Sequence, residues 1–147
     1  MNPDFRDMLA ALSGEGVEYL LVGAHALAVH GHPRATRDLD LWVAVTGENS
    51  GRLWRVLEQF GAPMQQLTIA DLQRPDLVFQ IGVPPQRIDI LTSIDGVDFP
   101  SAFRARLDVD LEGIRVPVIS RSHLIQNKRA SGRAQDLADL EALGERT

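Results

Sequence analysis

The stretch Thr36–Val45, TRDLDLWVAV, constrains the fold of this chain more than any other. It alternates polar and apolar side chains and then becomes continuously apolar, as a strand does when its first part faces a cleft and its remainder is buried. Such a strand needs partners beside it and helices over it. A chain of 147 residues supplies these within one core, so one domain over residues 1–147 with one active site is expected.

The flanking segments fit that frame. Asn2 as N-cap, Pro3 at the first helical position and Phe5, Met8, Leu9 and Leu12 at helical spacing predict a first helix ended by Gly14 and Gly16. Tyr19–Val22 reads as a short buried strand stopped by Gly23, and Ala24–His30 as a brief helix closed by Gly31 and Pro33. Beyond the acidic strand, Ser50 is the expected cap of a helix carrying Leu53, Val56, Leu57 and Phe60, with Gly61 as its stop. Leu77–Val83, Arg87–Ile94 and Ile114–Ile119 read as further strands, the last at a sheet edge because it contains Pro117. Ser120 or Ser122 caps a helix through Lys128, Gly132 interrupts it, and a final helix presents Leu137, Leu140 and Leu143. The order predicts an α/β fold, a mixed sheet flanked by helices.

Composition narrows the chemistry. With no cysteine there is no disulfide framework, thiol nucleophile or thiolate zinc site, which leaves metal binding to carboxylates and four histidines and favours hard cations. The first residues carry charges where a signal peptide needs an apolar core, and no long apolar run follows, so a cytoplasmic protein away from membranes is expected. A net charge of −5 argues against extensive nucleic-acid coating but allows a local basic rim, for which the arginines near positions 34, 37, 129 and 133 are available.

Asp38 and Asp40 lie two apart on the predicted strand, so their side chains share a face and their carboxylates can converge on one ion, while Leu39 and Leu41 face the other way. Asp89, between Ile88 and Ile90, is a third acid in an apolar strand and needs a partner, either a cation shared with the first two or a salt bridge to Arg87. Three carboxylates on two strands suit Mg²⁺, which prefers oxygen ligands and keeps positions open for phosphates. The glycine turn in LLVGAHAL allows backbone amides to approach a phosphate at a helix start.

Strand, glycine turn, short helix, Asp-x-Asp, and then Asp between aliphatics: this order resembles the nucleotidyltransferase superfamily typified by DNA polymerase β. VGAHALAVHGHPRATRDLDLWV and LIQNKRASGRAQDLADLEAL look most like its minimal bacterial members, many of which are toxins of toxin–antitoxin systems. The superfamily turn is commonly Gly-Gly or Gly-Ser, whereas here Ala24 carries no hydroxyl and His25 follows. The resemblance implies transfer of a nucleoside monophosphate from a nucleoside triphosphate such as ATP to an acceptor. It assigns Asp38, Asp40 and Asp89 as Mg²⁺ ligands and catalytic acids, with Asp89 as general base. Gly23, Ala24, His25, Arg34, Arg37 and Lys128 become the nucleotide-binding set. A tRNA or protein acceptor and a cognate antitoxin protein are the implied partners. The alternative is a weak or inactive nucleotide-binding or protein-interaction module of the same fold. Plainer readings stand beside these assignments. Arg34 and Arg37 can balance the acidic strand, Lys128 can pair with Asp136 across Gly132 as a surface contact, and the histidines can cap or face solvent. Asp136, Asp139 and Glu141 read as a solvated helix face.

Overall fold

The fold was described from a computed structural model of the chain, which describes residues 1–33, 38–84 and 86–147. The first helix, α1 (Pro3–Gly14), starts as its sequence requires. The Asn2 side chain accepts the amides of Asp4 and Phe5, and Phe5, Met8, Leu9 and Leu12 are all buried. Strand β1 (Tyr19–Val22) is buried at every position and runs directly into α2 (Gly23–Val29). The acidic strand β2 (Leu39–Val43) follows, then α3 (Gly47–Phe60), a 3₁₀ turn at Ile69–Gln73, and strands β3 (Val78–Ile81) and β4 (Ile88–Leu91). A short helix α4 (Phe99–Arg104) precedes the hairpin β5 (Leu107–Leu111) and β6 (Ile114–Val118), and α5 (Arg121–Ser131) and α6 (Ala134–Ala142) complete the chain.

Among the described residues six strands form one mixed sheet in the order β3-β4-β2-β1-β6-β5. Pairs β2/β4 and β1/β6 are parallel and the others antiparallel. The sheet is flanked by helices, the α/β arrangement expected from the sequence. Strands β1 and β2 occupy its centre, which is why their apolar runs are continuous there. Asn49 secures that centre from α3. It accepts the Glu18 amide at 2.6 Å and donates to the carbonyls of Ala44 and Glu18 at 2.9 and 3.0 Å, so this buried amide is satisfied across both strands.

Several local expectations are corrected. The cap of α3 is Thr46, whose Oγ1 accepts the Asn49 amide. Ser50 lies inside the first turn, buried, and donates to the Thr46 carbonyl at 2.8 Å. Strand β1 has the predicted bounds, β3 and β4 are shorter at both ends, and α4 forms where no helix is predicted. Strand β6 is not an edge, because β5 pairs with its outer side. Amides two residues apart leave a strand on the same side, and the Ile119 amide donates to Leu21 of β1. The donor that Pro117 lacks is thus one that would face β1, and the β1/β6 ladder is reduced to the single pair Leu21↔Val118. Finally, Asp136 and Asp139 are buried, not solvated.

Candidate active site

Because β2 runs parallel to β4 and antiparallel to β1, one register row carries Val22, Asp40 and Asp89 across three strands. Asp40 and Asp89 are direct neighbours in that row, with side chains on one face. Two residues further along β2, Trp42 stands on the same face and meets Phe99 of α4 edge-on at 5.1 Å, so this face is covered beyond the acids. The acids occupy the end of the sheet at which β1 turns into α2.

Asp40 and Asp89 stand side by side, and the proximity of Asp89 favours the protonated form of Asp40. Burial, reinforced by the charges of Asp89 and Asp38, raises the Asp40 pKa from 3.8 to about 7, against a smaller opposing effect of Arg87. Arg87 is the local counter-ion. Its Nε and a terminal nitrogen grip the two oxygens of Asp89 at 2.7 and 3.1 Å, and its guanidinium also lies 3.3 Å from Asp38. The Arg87 amide donates to Asp38 Oδ1 at 3.1 Å. The salt bridge weighed for Asp89 from sequence is therefore present, and it extends to Asp38. The Arg-x-Asp spacing in RIDIL carries the signal, since residues two apart on a strand share a face.

Among the described residues Arg87 is the cation bonded to these three carboxylates, so negative charge is in surplus when all are ionised. That surplus, on hard oxygen donors, fits a divalent cation such as Mg²⁺. Among the described residues, no group of three or more acidic or imidazole side chains already stands in a metal-holding arrangement. Arg87 holds Asp38 and Asp89 in its place.

Gly23 belongs to this site for a steric reason. Its φ is +69°, and a Cβ built there would sit 3.2 Å from both Cβ and Cγ of Asp40 and closer still to Oδ2. Only glycine lets the Asp40 carboxyl pack against the start of α2. Ala24 follows at the mouth. His25 turns the edge of its ring to Phe5 of α1, with centroids 5.6 Å apart, and its Nε2 is buried with no hydrogen-bond partner. Burial holds its pKa below the usual 6.5. His30 bonds the Ile119 carbonyl at 2.8 Å, and His123 pairs with the Ser120 hydroxyl at 3.1 Å. Arg34 and Arg37 lie outside the described residues.

Lys128 occupies the core of the α5–α6 turn. Its side chain is 4% exposed, its Nζ lies 2.7 Å from Asp139 and 3.7 Å from Asp136, and Gln135 donates to Asp139 at 2.9 Å. The pairing with Asp136 foreseen as a surface contact exists, but it is buried and secondary to Asp139. Arg133 is an addition to the residues singled out for phosphate from sequence. It is held by Asp136 at 2.9 Å through Nε, and its charge is favoured first by Asp136 and more weakly by Asp95 and Asp40.

The comparisons agree with this fold. The chain aligns over 95% of its length with the nucleotidyltransferase candidate TM1012 from Thermotoga maritima, covering 89% of that protein at 17% identity and a TM-score of 0.63. The lincosamide antibiotic adenylyltransferase LnuA is matched over 100% of this chain and 98% of its own, at 14% identity and a TM-score of 0.62. For the antibiotic-resistance factor ANT(2'')-Ia the shares are 95% and 80%, with 17% identity and a TM-score of 0.60. At these identities the likeness is one of fold. No protein of curated function matches the sequence. The profile of one protein family does, over residues 6–144, which is nearly the whole chain. The chain therefore belongs to the family described as nucleotidyltransferase of unknown function (DUF6036).

Proposed function

We propose that this nucleotidyltransferase moves a nucleoside monophosphate from a nucleoside triphosphate to an acceptor hydroxyl with Mg²⁺ as cofactor. The observation that carries the reading is the Asp40–Asp89 pair, two neighbouring carboxyls on adjacent parallel strands facing a glycine turn. Asp40 and Asp89 would hold the metal, joined by Asp38 once Arg87 releases it. Bound there, a divalent cation supplies charge that offsets the carboxylates and the growing charge on phosphate oxygens.

Asp89 accepts the proton of the acceptor hydroxyl as its oxygen bonds to the α-phosphorus. The bond from that phosphorus to the bridging oxygen breaks, and pyrophosphate leaves with the electron pair. Gly23 and Ala24 bring backbone amides to the phosphates, and Arg34 and Arg37 stand in the segment between α2 and β2 as further cations. Arg87, freed from the acids, joins them at the mouth. His25 borders the turn from the side of α1.

The acceptor proposed is macromolecular. The described residues after Asp89 form a hairpin and three helices. A tRNA or a protein, which brings its own surface, suits such a site better than a small molecule that needs walls. In that reading the protein is a cytoplasmic toxin held by a cognate antitoxin. Among the described residues no helix is long and apolar enough to cross a membrane.

The test is label transfer. Incubation with Mg²⁺ and each of the four α-³²P nucleoside triphosphates, in the presence of total tRNA or cell protein, is expected to mark one acceptor class with one nucleotide. The same Mg²⁺–nucleotide pair is expected to raise Tm, since a site filled at 100 times Kd adds about 2.7 kcal/mol. A Tm shift without transfer identifies the alternative, a nucleotide-binding module in which Ala24 has removed the hydroxyl of the turn. Neither effect with any nucleotide overturns both readings.

A further inference from the structure

The α5–α6 turn contains a charge arrangement that the transfer reaction above does not use. Lys128, Asp136 and Asp139 are buried together, with side-chain exposures of 4, 6 and 3%. Of the two acids Asp136 is the one Lys128 holds less closely, at 3.7 Å against 2.7 Å for Asp139. A second cation reaches it from the surface. Arg133 has a side chain 78% exposed, yet its Nε lies 2.9 Å from Asp136 Oδ2 and its amide donates to the same oxygen at 3.2 Å. A flexible surface arginine is thus fixed through Nε while most of its side chain stays exposed.

Two contacts locate this arginine. Helix α5 packs against α2, the helix that begins at Gly23 over Asp40. On its other side Gln126 and Asn127 donate to the carbonyls of Gly96 and Asp95 in the loop after β4, at 2.6 and 2.9 Å. The C-terminal half of α5 is thereby held against the two segments that border the acids, with Ala130 packed under Gly96, and the charges of Asp95 and Asp40 favour that of Arg133. A guanidinium anchored through Nε still offers a planar pair of donors, which matches a phosphate.

We propose that Arg133 binds the phosphates of the nucleoside triphosphate at the mouth of the acidic site, and that Lys128 is a positioning residue that holds Arg133 there from behind through Asp136. This rests on the nucleotidyl-transfer reading, but it moves the functional cation from Lys128 to Arg133. Lys128 itself touches no phosphate. It neutralises the buried acids so that Asp136 can face outward to the guanidinium.

The experiment is isothermal titration of Mg²⁺–ATP, and of Mg²⁺ with each other nucleoside triphosphate, into the full chain. Binding by wild type to none of them removes the transfer reading and leaves Arg133 without a role. Where wild type binds, Arg133→Ala is expected to weaken the nucleotide roughly tenfold or more, and to lower Tm because buried Asp136 loses its guanidinium. Arg133→Lys should recover only part of that loss. Asp136→Asn keeps the side-chain shape and frees Arg133, so it should weaken the nucleotide to a similar degree, and the double variant Arg133→Ala/Asp136→Asn should be no worse than Arg133→Ala. Lys128→Arg should keep most of the affinity. Wild-type affinity in a folded Arg133→Ala protein overturns the proposal, and additive losses in the double variant overturn the positioning half.

Discussion

The Asp40 and Asp89 carboxyls are register partners on β2 and β4, and their nearness favours a proton on Asp40 where a bound cation would favour its loss. Asp40 is the group pushed up, from 3.8 to about 7. An acid whose folded pKa lies above its unfolded value binds more protons when folded, so its contribution to stability falls as pH rises through that interval. Without metal, the stability difference between wild type and Asp40→Asn should therefore move against wild type from about pH 4 to about pH 7 and level off above. Urea denaturation at stepped pH checks this. A flat difference would show that Asp40 is ionised throughout.

Asp38→Asn, Asp40→Asn and Asp89→Asn should each remove nucleotidyl transfer while the chain still folds. They are not equivalent in stability. Asp40→Asn relieves repulsion and should raise the metal-free Tm at pH 8, whereas Asp89→Asn breaks the two-pronged grip of Arg87 and should lower it. Thermal melts with and without Mg²⁺, beside the transfer assay, separate the two effects. Equal Tm changes for both variants would contradict the role given to Arg87.

Arg87→Ala removes the one cation that opposes the rise at Asp40. The Asp40 pKa is then expected above 7, readable by carboxyl carbon NMR. An unchanged titration would mean that solvent, and not Arg87, compensates the acids.

Gly23→Ala tests the packing of the turn against Asp40. Its positive φ alone makes a side chain costly by about 1 kcal/mol or more, and the methyl group also meets Asp40. A folded protein with reduced stability and transfer activity lowered by more than tenfold is expected, roughly the effect of moving one ligand by an ångström. Chemical denaturation and initial rates measure both. Full activity in the variant would take Gly23 out of the site.

Lys128→Ala should be strongly destabilising, by about 3 kcal/mol, because it removes the ammonium that lies 2.7 Å from the buried Asp139, while Asp136 keeps Arg133. An exposed pair would cost at most about 1 kcal/mol. Guanidinium denaturation distinguishes the two without any activity assay.

What could be seen in the sequence was local. Asn2 and Pro3 announce α1 through bonds made within four residues, and Gly61 and Gly132 stop α3 and α5 in left-handed conformations, at φ of 84° and 62°. The Asp-x-Asp of β2 and the Arg-x-Asp of β4 declare shared faces by the two-residue period alone. What could not be seen depended on distant partners. Ser50 looks like a cap until Thr46 takes the role, and Asp136 and Asp139 look solvated until α6 folds them onto Lys128 of α5. Pro117 signals a missing ladder bond but not which neighbour forgoes it, and β5 covers the other side.

That missing bond makes the β1/β6 seam the thinnest ladder among the described strands. The strands β3, β4, β2 and β1, with every acid of the site, form one hydrogen-bonded body; β6 and β5 lead into the helices that carry Arg133. Leu21↔Val118 and the His30 contact to Ile119 tie β1 and α2 to β6, and packed side chains do the rest. A seam made of apolar contacts can slide where a full ladder cannot, so the spacing between Arg133 and the acids is set by packing that yields. Native-state hydrogen exchange should find the amides of β5 and β6 opening apart from those of β1 and β2, and a bound triphosphate, touching both bodies, should lock them into one.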